Sequence, residues 1–392
     1  MPVNEPKMNI NKMAVIRNKK KAGLTLAIFS VLAITLLIIF DKANHSVASM
    51  DNNSLSYRNI SQAIKAKYDQ ALENLPDYKA SHYAARIYRI SGVETYLTYN
   101  FQDLRNIGEQ VEQLLKVTQN NNEFAYSKAK VAEGSAKATD QSAIFRAALR
   151  RKSLDIAPTL SYYLTSLSAL RRSLEYRICH PHFDQLKKHV LAHDYTHTLS
   201  DPFMIKAWAA QLANIVVWIK QLGGKDYNDV FLGALQAVYP EDQDTQLSTQ
   251  QYENKIYGLT HMILASSQYY QYHINRDNFA GIFDYFDNNI DTIISRAKAD
   301  VVAEVGIAYL LAREYDNPAL EKTRQNIAQQ FDETHRMIPD VDGDYDISAG
   351  AHRNILAIML LSSPQTLYPG PWLGQTAQAT QLPQGMYNCP TS

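Results

Sequence analysis

Two kinds of apolar spacing alternate along the C-terminal half of this chain. Residues 279 to 297 set Phe279, Ile282, Phe283, Phe286, Ile290, Ile293, Ile294 and Ala297 on one face and Asp284, Asp287, Asn288 and Asp291 on the other. That period predicts a helix with one side in water. By contrast AWAAQLANIVVWI (207 to 219), LTHMILA (259 to 265), VVAEVGIAYLLA (301 to 312) and ILAIMLL (355 to 361) are apolar nearly all round, as helices covered on every side must be. Short β-branched alternations bounded by turn residues are essentially missing, while Ala/Leu/Gln/Lys/Tyr segments recur. Asp201-Pro202 and Asn317-Pro318 each put a capping side chain before a proline at the first helical position and so mark two helix starts. The class is all-α.

Each covered run carries a polar residue near its beginning: Gln211, His261, Glu304 and His352, spaced by 50, 43 and 48 residues. Such spacing suits one helical hairpin per step. Stacked hairpins make an open solenoid or, if they curve shut, an α/α toroid with inner helix ends around a central cavity. The toroid or strongly curved array is the expectation, with an open solenoid or plain bundle as the alternative. A closed ring would bring the four polar residues into one pocket.

The N-terminus carries a different signal. Residues 22 to 40, AGLTLAIFSVLAITLLIIF, form an apolar run of 19 residues behind Arg17, Lys19, Lys20 and Lys21. At about 1.5 Å per residue this just crosses a hydrocarbon core of about 30 Å. The basic flank favours the cytoplasm. The expected organisation is a basic cytoplasmic segment (1–21), a transmembrane signal-anchor (22–40), a juxtamembrane linker (41–54), a helical domain (55–362) and a Pro-rich tail (363–392), in the inner membrane with the main domain in the periplasm. Cleavage after Ser46-Val47-Ala48 is the alternative for the first 48 residues. Charge balances at 39 basic and 39 acidic residues, but the first 40 residues hold six Lys/Arg and one acid, which leaves 33 basic and 38 acidic beyond them. Nucleic acid is thereby disfavoured as a partner. Cys179 and Cys389 are the only cysteines, and an exported compartment permits a disulfide between them or leaves two thiols.

Candidate chemistry is sparse. His180, His182, His189, His193 and His197 fall within 18 residues, and His189 with His193 has the i, i+4 spacing of a zinc pair, against a solvated helix face. Asp340, Asp342, Asp344 and Asp346 alternate around Gly343, yet the order of an EF-hand loop is broken and its bidentate Glu is absent. No cofactor is expected, with zinc and calcium as alternatives. A Glu inside an apolar helix is costly to bury unless it is paired or protonated. Glu304 therefore reads as a general acid, Asp346 or Asp344 as its base, and His261, His352, Arg353, Gln211 and Tyr257 as groups that position substrate, against a purely structural buried network. Tyr is abundant, 25 against 12 Phe and 3 Trp, with Tyr269, Tyr270 and Tyr272 after the His261 helix, an inventory that suits sugar stacking or helix interfaces. There is no phosphate loop, no G-x-S-x-G and no H-E-x-x-H.

The strings YGLTHMILASSQYYQ, DVVAEVGIAYLLA and GDYDISAGAHRNILAIMLL, and less clearly SDPFMIKAWAAQLANIVVWIKQLG, resemble a family of uncharacterised bacterial proteins known only as a domain of unknown function, over about residues 200 to 375. The resemblance implies a bacterial helical domain and no catalytic residues. Two functions are carried forward: an envelope enzyme acting on a glycan or other cell-envelope polymer, and a binding or scaffold protein for an envelope partner.

Overall fold

The computed structural model describes residues 56–138, 141–376 and 382–390. The 19-residue run at 22–40 and the linker at 41–54 lie outside them. Residues from 59 onward form one compact unit, and everything below concerns it together with the first turn of the helix that opens it.

That unit is all-α. Helix α1 spans 56–71, followed by α2 (Asp77–Ser91), α3 (Leu97–Gln119), α4 (Glu123–Ala136), α5 (Gln141–Lys152) and α6 (Leu160–Tyr176). The series continues with α7 (Phe183–Leu191), α8 (Thr196–Ser200), α9 (Pro202–Gln221), α10 (Asn228–Val238) and α11 (Thr249–Ser266). It ends with α12 (Ala280–Arg296), α13 (Ala299–Leu311), α14 (Pro318–Gln329) and α15 (Ile347–Ser362). Local chemistry sets the starts: Asp201 accepts from the N–H groups of Phe203 and Met204, Asn317 accepts from that of Ala319, and Ser248 and Gln251 form a capping box.

The four apolar runs lie in α9, α11, α13 and α15, and each packs on the next. Every residue of α13 is buried. Crowding there is tight: a Cβ at Gly306 would meet the Thr323 hydroxyl of α14 and stand 2.6 Å from Leu360 of α15, so a neighbour would have to shift to admit one. Helix α12 buries Ile282, Phe283, Tyr285, Phe286, Ile290 and Ile293 and turns its acids outward. Among the described residues α9 alone is long and apolar enough to cross a membrane, but it is mostly buried within the unit and breaks regular geometry at Trp208. It is a core helix.

In the N-terminal half α2 packs on α3, α3 on α6 and α6 on α9, while α15 packs on α2. The chain after α15 is tied to the body at several points. Arg89 Nε donates to the Gly370 carbonyl (2.8 Å) and the Gly370 N–H to Gln271 (2.8 Å). Strand β1 (Ile178–Cys179) pairs antiparallel with β2 (Tyr387–Asn388), and beside this pair Cys179 and Cys389 are bonded. Gly370 sits at φ 114°, where a side chain would be strained and would meet the Trp372 N–H.

Candidate active site

Helices α11 and α13 face each other through a ladder of polar side chains at four-residue spacing. Glu253, Tyr257 and His261 fall on one face of α11, Asp300 and Glu304 on one face of α13. Glu253 accepts from the Lys298 N–H (3.2 Å), the Tyr257 hydroxyl donates to Asp300 Oδ2 (2.5 Å), and His261 faces Glu304. Burial, and next the Asp300 charge, push the Tyr257 phenol well above its ordinary range, so it remains a donor at neutral pH. Burial alone would raise Asp300, but Lys298, His352 and the Tyr257 hydroxyl together hold its carboxyl below the usual value. Asp300 Oδ1 is buried and makes no hydrogen bond.

The last rung is the most unusual. Glu304 is 1% exposed. Its Oε2 accepts from the Thr260 hydroxyl (2.7 Å), while Oε1 stands 3.7 Å from Nε2 of His261 and 3.7 Å from Nε2 of His352 on α15. Those are ion-pair separations, longer than a hydrogen bond. His261 Nδ1 lies 3.0 Å from Asn214 Oδ1 of α9, and an amide oxygen only accepts, so Nδ1 carries the proton. The neutral ring then turns an unprotonated Nε2 toward Glu304. Two lone pairs facing one another repel, and a proton on either converts the contact to attraction. Burial, opposed by Glu304, lowers the His261 pKa and keeps the ring neutral near pH 7.

Access comes from the imidazole side. His352 has 48% of its side-chain surface exposed, and its ring lies 5.8 Å from that of His82 on α2. Burial, and then Arg86 one turn further along α2, push His82 well below its ordinary value. Beyond Arg86 the interior becomes basic and aromatic. Arg89 (α2) and Arg171 (α6) hold the two oxygens of Glu175 at 2.6 and 2.7 Å. Gln268, Tyr269 and Tyr270 follow α11 in left-handed backbone conformation, at φ 53°, 54° and 73° respectively. Three such non-glycine residues in succession, each costing roughly 1–2 kcal/mol, are a marked local strain. They set the Tyr269 ring 4.7 Å from the Arg171 guanidinium.

With the geometry described, the chain can be placed among known sequences. The family model described as "Domain of unknown function (DUF3541)" matches residues 57–388. The chain belongs to this family. No curated protein and no solved structure matches it. Membership therefore extends the resemblance at 200–375 across the whole helical unit while assigning no chemistry.

Several candidates named from sequence stand elsewhere. Asp346 caps α15, accepting from the Ala349 N–H, and Asp344 accepts from that of Tyr345; both are exposed and neither makes a described contact with Glu304. The carboxylate that shares a face with Glu304 is Asp300, one turn earlier on the same helix. Gln211 accepts from Arg150 of α5 (3.3 Å), and the residue of α9 that reaches His261 is Asn214, one turn later. Arg353 donates to the Pro339 carbonyl (2.8 Å). His189 and His193 do not share a helix, because α7 ends at Leu191, and both stack on Tyr163, with ring centroids at 6.0 and 4.0 Å. Among the described residues no group of three metal-ligating side chains forms. Asp340 accepts from the N–H groups of Asp342 and Asp344, as a turn does. His82, Arg86, Asn214 and Asp300 were not marked by sequence: the two on α2 sit in DYKASHYAARIYRIS, a stretch that carries no recognisable motif.

Proposed function

We propose that the chain is an envelope protein, tethered by a transmembrane helix at 22–40 with its N-terminus cytoplasmic and its helical unit in the periplasm. In this reading α2, α3, α6, α9, α11, α13 and α15 close into a toroid, and its interior performs acid/base chemistry on a glycan or other envelope polymer. The packing of α15 back on α2 supports the ring. The single observation that carries the chemistry is Glu304, buried, with Oε1 equidistant from two imidazoles, one of them orientated by Asn214.

The roles follow from the atoms. His261 Nε2 accepts a proton and Glu304 stabilises the imidazolium, as an orientated carboxylate does. His352, the exposed member, meets the polymer and passes protons to solvent. Tyr257, whose one hydroxyl proton is committed to Asp300, offers its oxygen as the acceptor for a sugar hydroxyl. Release of reducing ends from purified peptidoglycan sacculi and from polygalacturonate tests this directly. Glu304→Gln should lower the rate by about 10²–10⁴-fold while shifting stability by about 1 kcal/mol or less. Equal rates for the two proteins would overturn the assignment. A non-catalytic binding or scaffold role is the second reading, favoured by the use of Asp344 and Asp346 in turn and cap, which leaves no carboxylate facing Glu304 from another helix among the described residues.

A further inference from the structure

Arg86 is 8% exposed, and among the described residues no carboxylate lies within ion-pair distance of it. Its Nε is buried without a hydrogen-bond partner, and its neutral polar neighbours are the His82 carbonyl one turn back, 3.5 Å from Nη1, and the Tyr270 hydroxyl. The rings of Tyr269 and Tyr270 flank the guanidinium at 6.0 and 5.4 Å from their centroids. The nearest acid is already committed, since Glu175 gives one oxygen to Arg89 and the other to Arg171. That carboxylate is thus taken by two guanidiniums, and the third, Arg86, has no ion-pair partner among the described residues. A guanidinium cannot shed its charge to escape burial, and aromatic faces compensate it only in part. Burial indeed lowers the Arg86 pKa, the direction expected of a charge without a counter-ion. An uncompensated buried charge of this kind is costly, and an anion bound beside it would relieve that cost.

We infer that Arg86 seats the carboxylate of an acidic saccharide, held in the fork of its guanidinium between Tyr269 and Tyr270. This rests on the glycan reading only for the saccharide; the demand for an anion comes from Arg86 itself. The placement fits the acid/base couple. Arg86 and His82 are four residues apart on α2, about 6 Å along the axis, and the His82 ring adjoins that of His352. A carboxylate on Arg86 would therefore lie about one sugar ring from the imidazoles. Arg171 and Glu175 also line a cavity of about 290 Å³, whose walls include Trp218, Tyr272 and Trp372.

Calorimetric titration of the full chain with tetragalacturonate, with the neutral galactose tetramer, with propane-1,2,3-tricarboxylate and with inorganic phosphate tests the inference. Tetragalacturonate should bind about 10- to 100-fold more tightly than the neutral tetramer, the range of a charge-assisted hydrogen bond. Arg86→Gln and Arg86→Met should erase that difference while holding or raising the melting temperature, and the comparison of the two tetramers in the unaltered protein needs no variant. Equal binding of the acidic and neutral tetramers would overturn the anion seat and leave the glycan reading standing. Tricarboxylate binding that needs Arg86, with neither tetramer bound, would uphold the seat and overturn the saccharide. Phosphate binding more tightly than tricarboxylate would overturn the carboxylate assignment.

Discussion

Glu175 and Glu304 are both buried carboxylates on core helices, and their surroundings differ in one respect. Each oxygen of Glu175 is taken by a guanidinium at hydrogen-bond distance. Burial would raise its pKa, but Arg171 and Arg89 overcome that and lower it. Glu304 has one oxygen satisfied by a hydroxyl and the other held at 3.7 Å from two rings that can gain or lose a proton. A saturated carboxylate is a fastener. A carboxylate paired with titratable partners beyond hydrogen-bond reach keeps its proton chemistry open. Burial alone does not separate the two roles; the identity and distance of the partners do.

The sharpest way to break this comparison is to treat both residues alike. Glu175→Gln leaves Arg89 and Arg171 buried with a neutral partner, and breaking a buried pair of this kind costs about 3–5 kcal/mol, measurable by urea denaturation. A loss below about 1 kcal/mol would show that solvent already relieves those charges. Next comes pH. His82 and His261 have pKa values below the ordinary 6.5, so the unfolded chain binds their protons first. Their contribution is fully present above pH 6.5 and is lost as pH falls from there toward the lowered folded values. The Arg–Glu175 end is insensitive in that window because guanidinium stays charged. Melting temperature should accordingly fall between pH 7 and 5, less steeply in His82→Gln; parallel profiles would show that His82 does not experience the burial described. The smallest effect is Glu304→Gln, which keeps an oxygen for the Thr260 hydroxyl and should shift stability by about 1 kcal/mol or less. A loss equal to that of Glu175→Gln would place Glu304 among the fasteners.

Much of the C-terminal half was legible from the chain because its helices obey simple rules. All-round apolar runs do lie in α9, α11, α13 and α15, and a polar residue inside such a run has few places to go but toward another one. Near-constant spacing made the meeting of His261, Glu304 and His352 an expectation, and the structure does bring those three side chains together. The N-terminal contribution was not legible. Arg86, Arg89, Arg171 and Glu175 are common surface residue types, and Arg89 meets Glu175 only across 86 positions of sequence. Local errors came from single turns of helix. Gln211 and Asn214 are three apart, and only the second meets His261; Asp346 is a good candidate by proximity to His352 in sequence, but a helix N-cap consumes its side chain.

The bond between Cys179 and Cys389 gives the cavity beside Glu175 a dependence on where the chain is made. Cys389 and Pro390 help to wall that cavity together with Trp372, on whose ring the Arg177 guanidinium lies at 3.5 Å. Among reducing thiols the same segment would rest there through noncovalent contacts alone, chiefly those of Arg89 and Arg177. Protein prepared in a reducing cytosol and protein prepared by export would then share a fold and differ in one wall of the interior, so redox history belongs among the variables of any binding measurement.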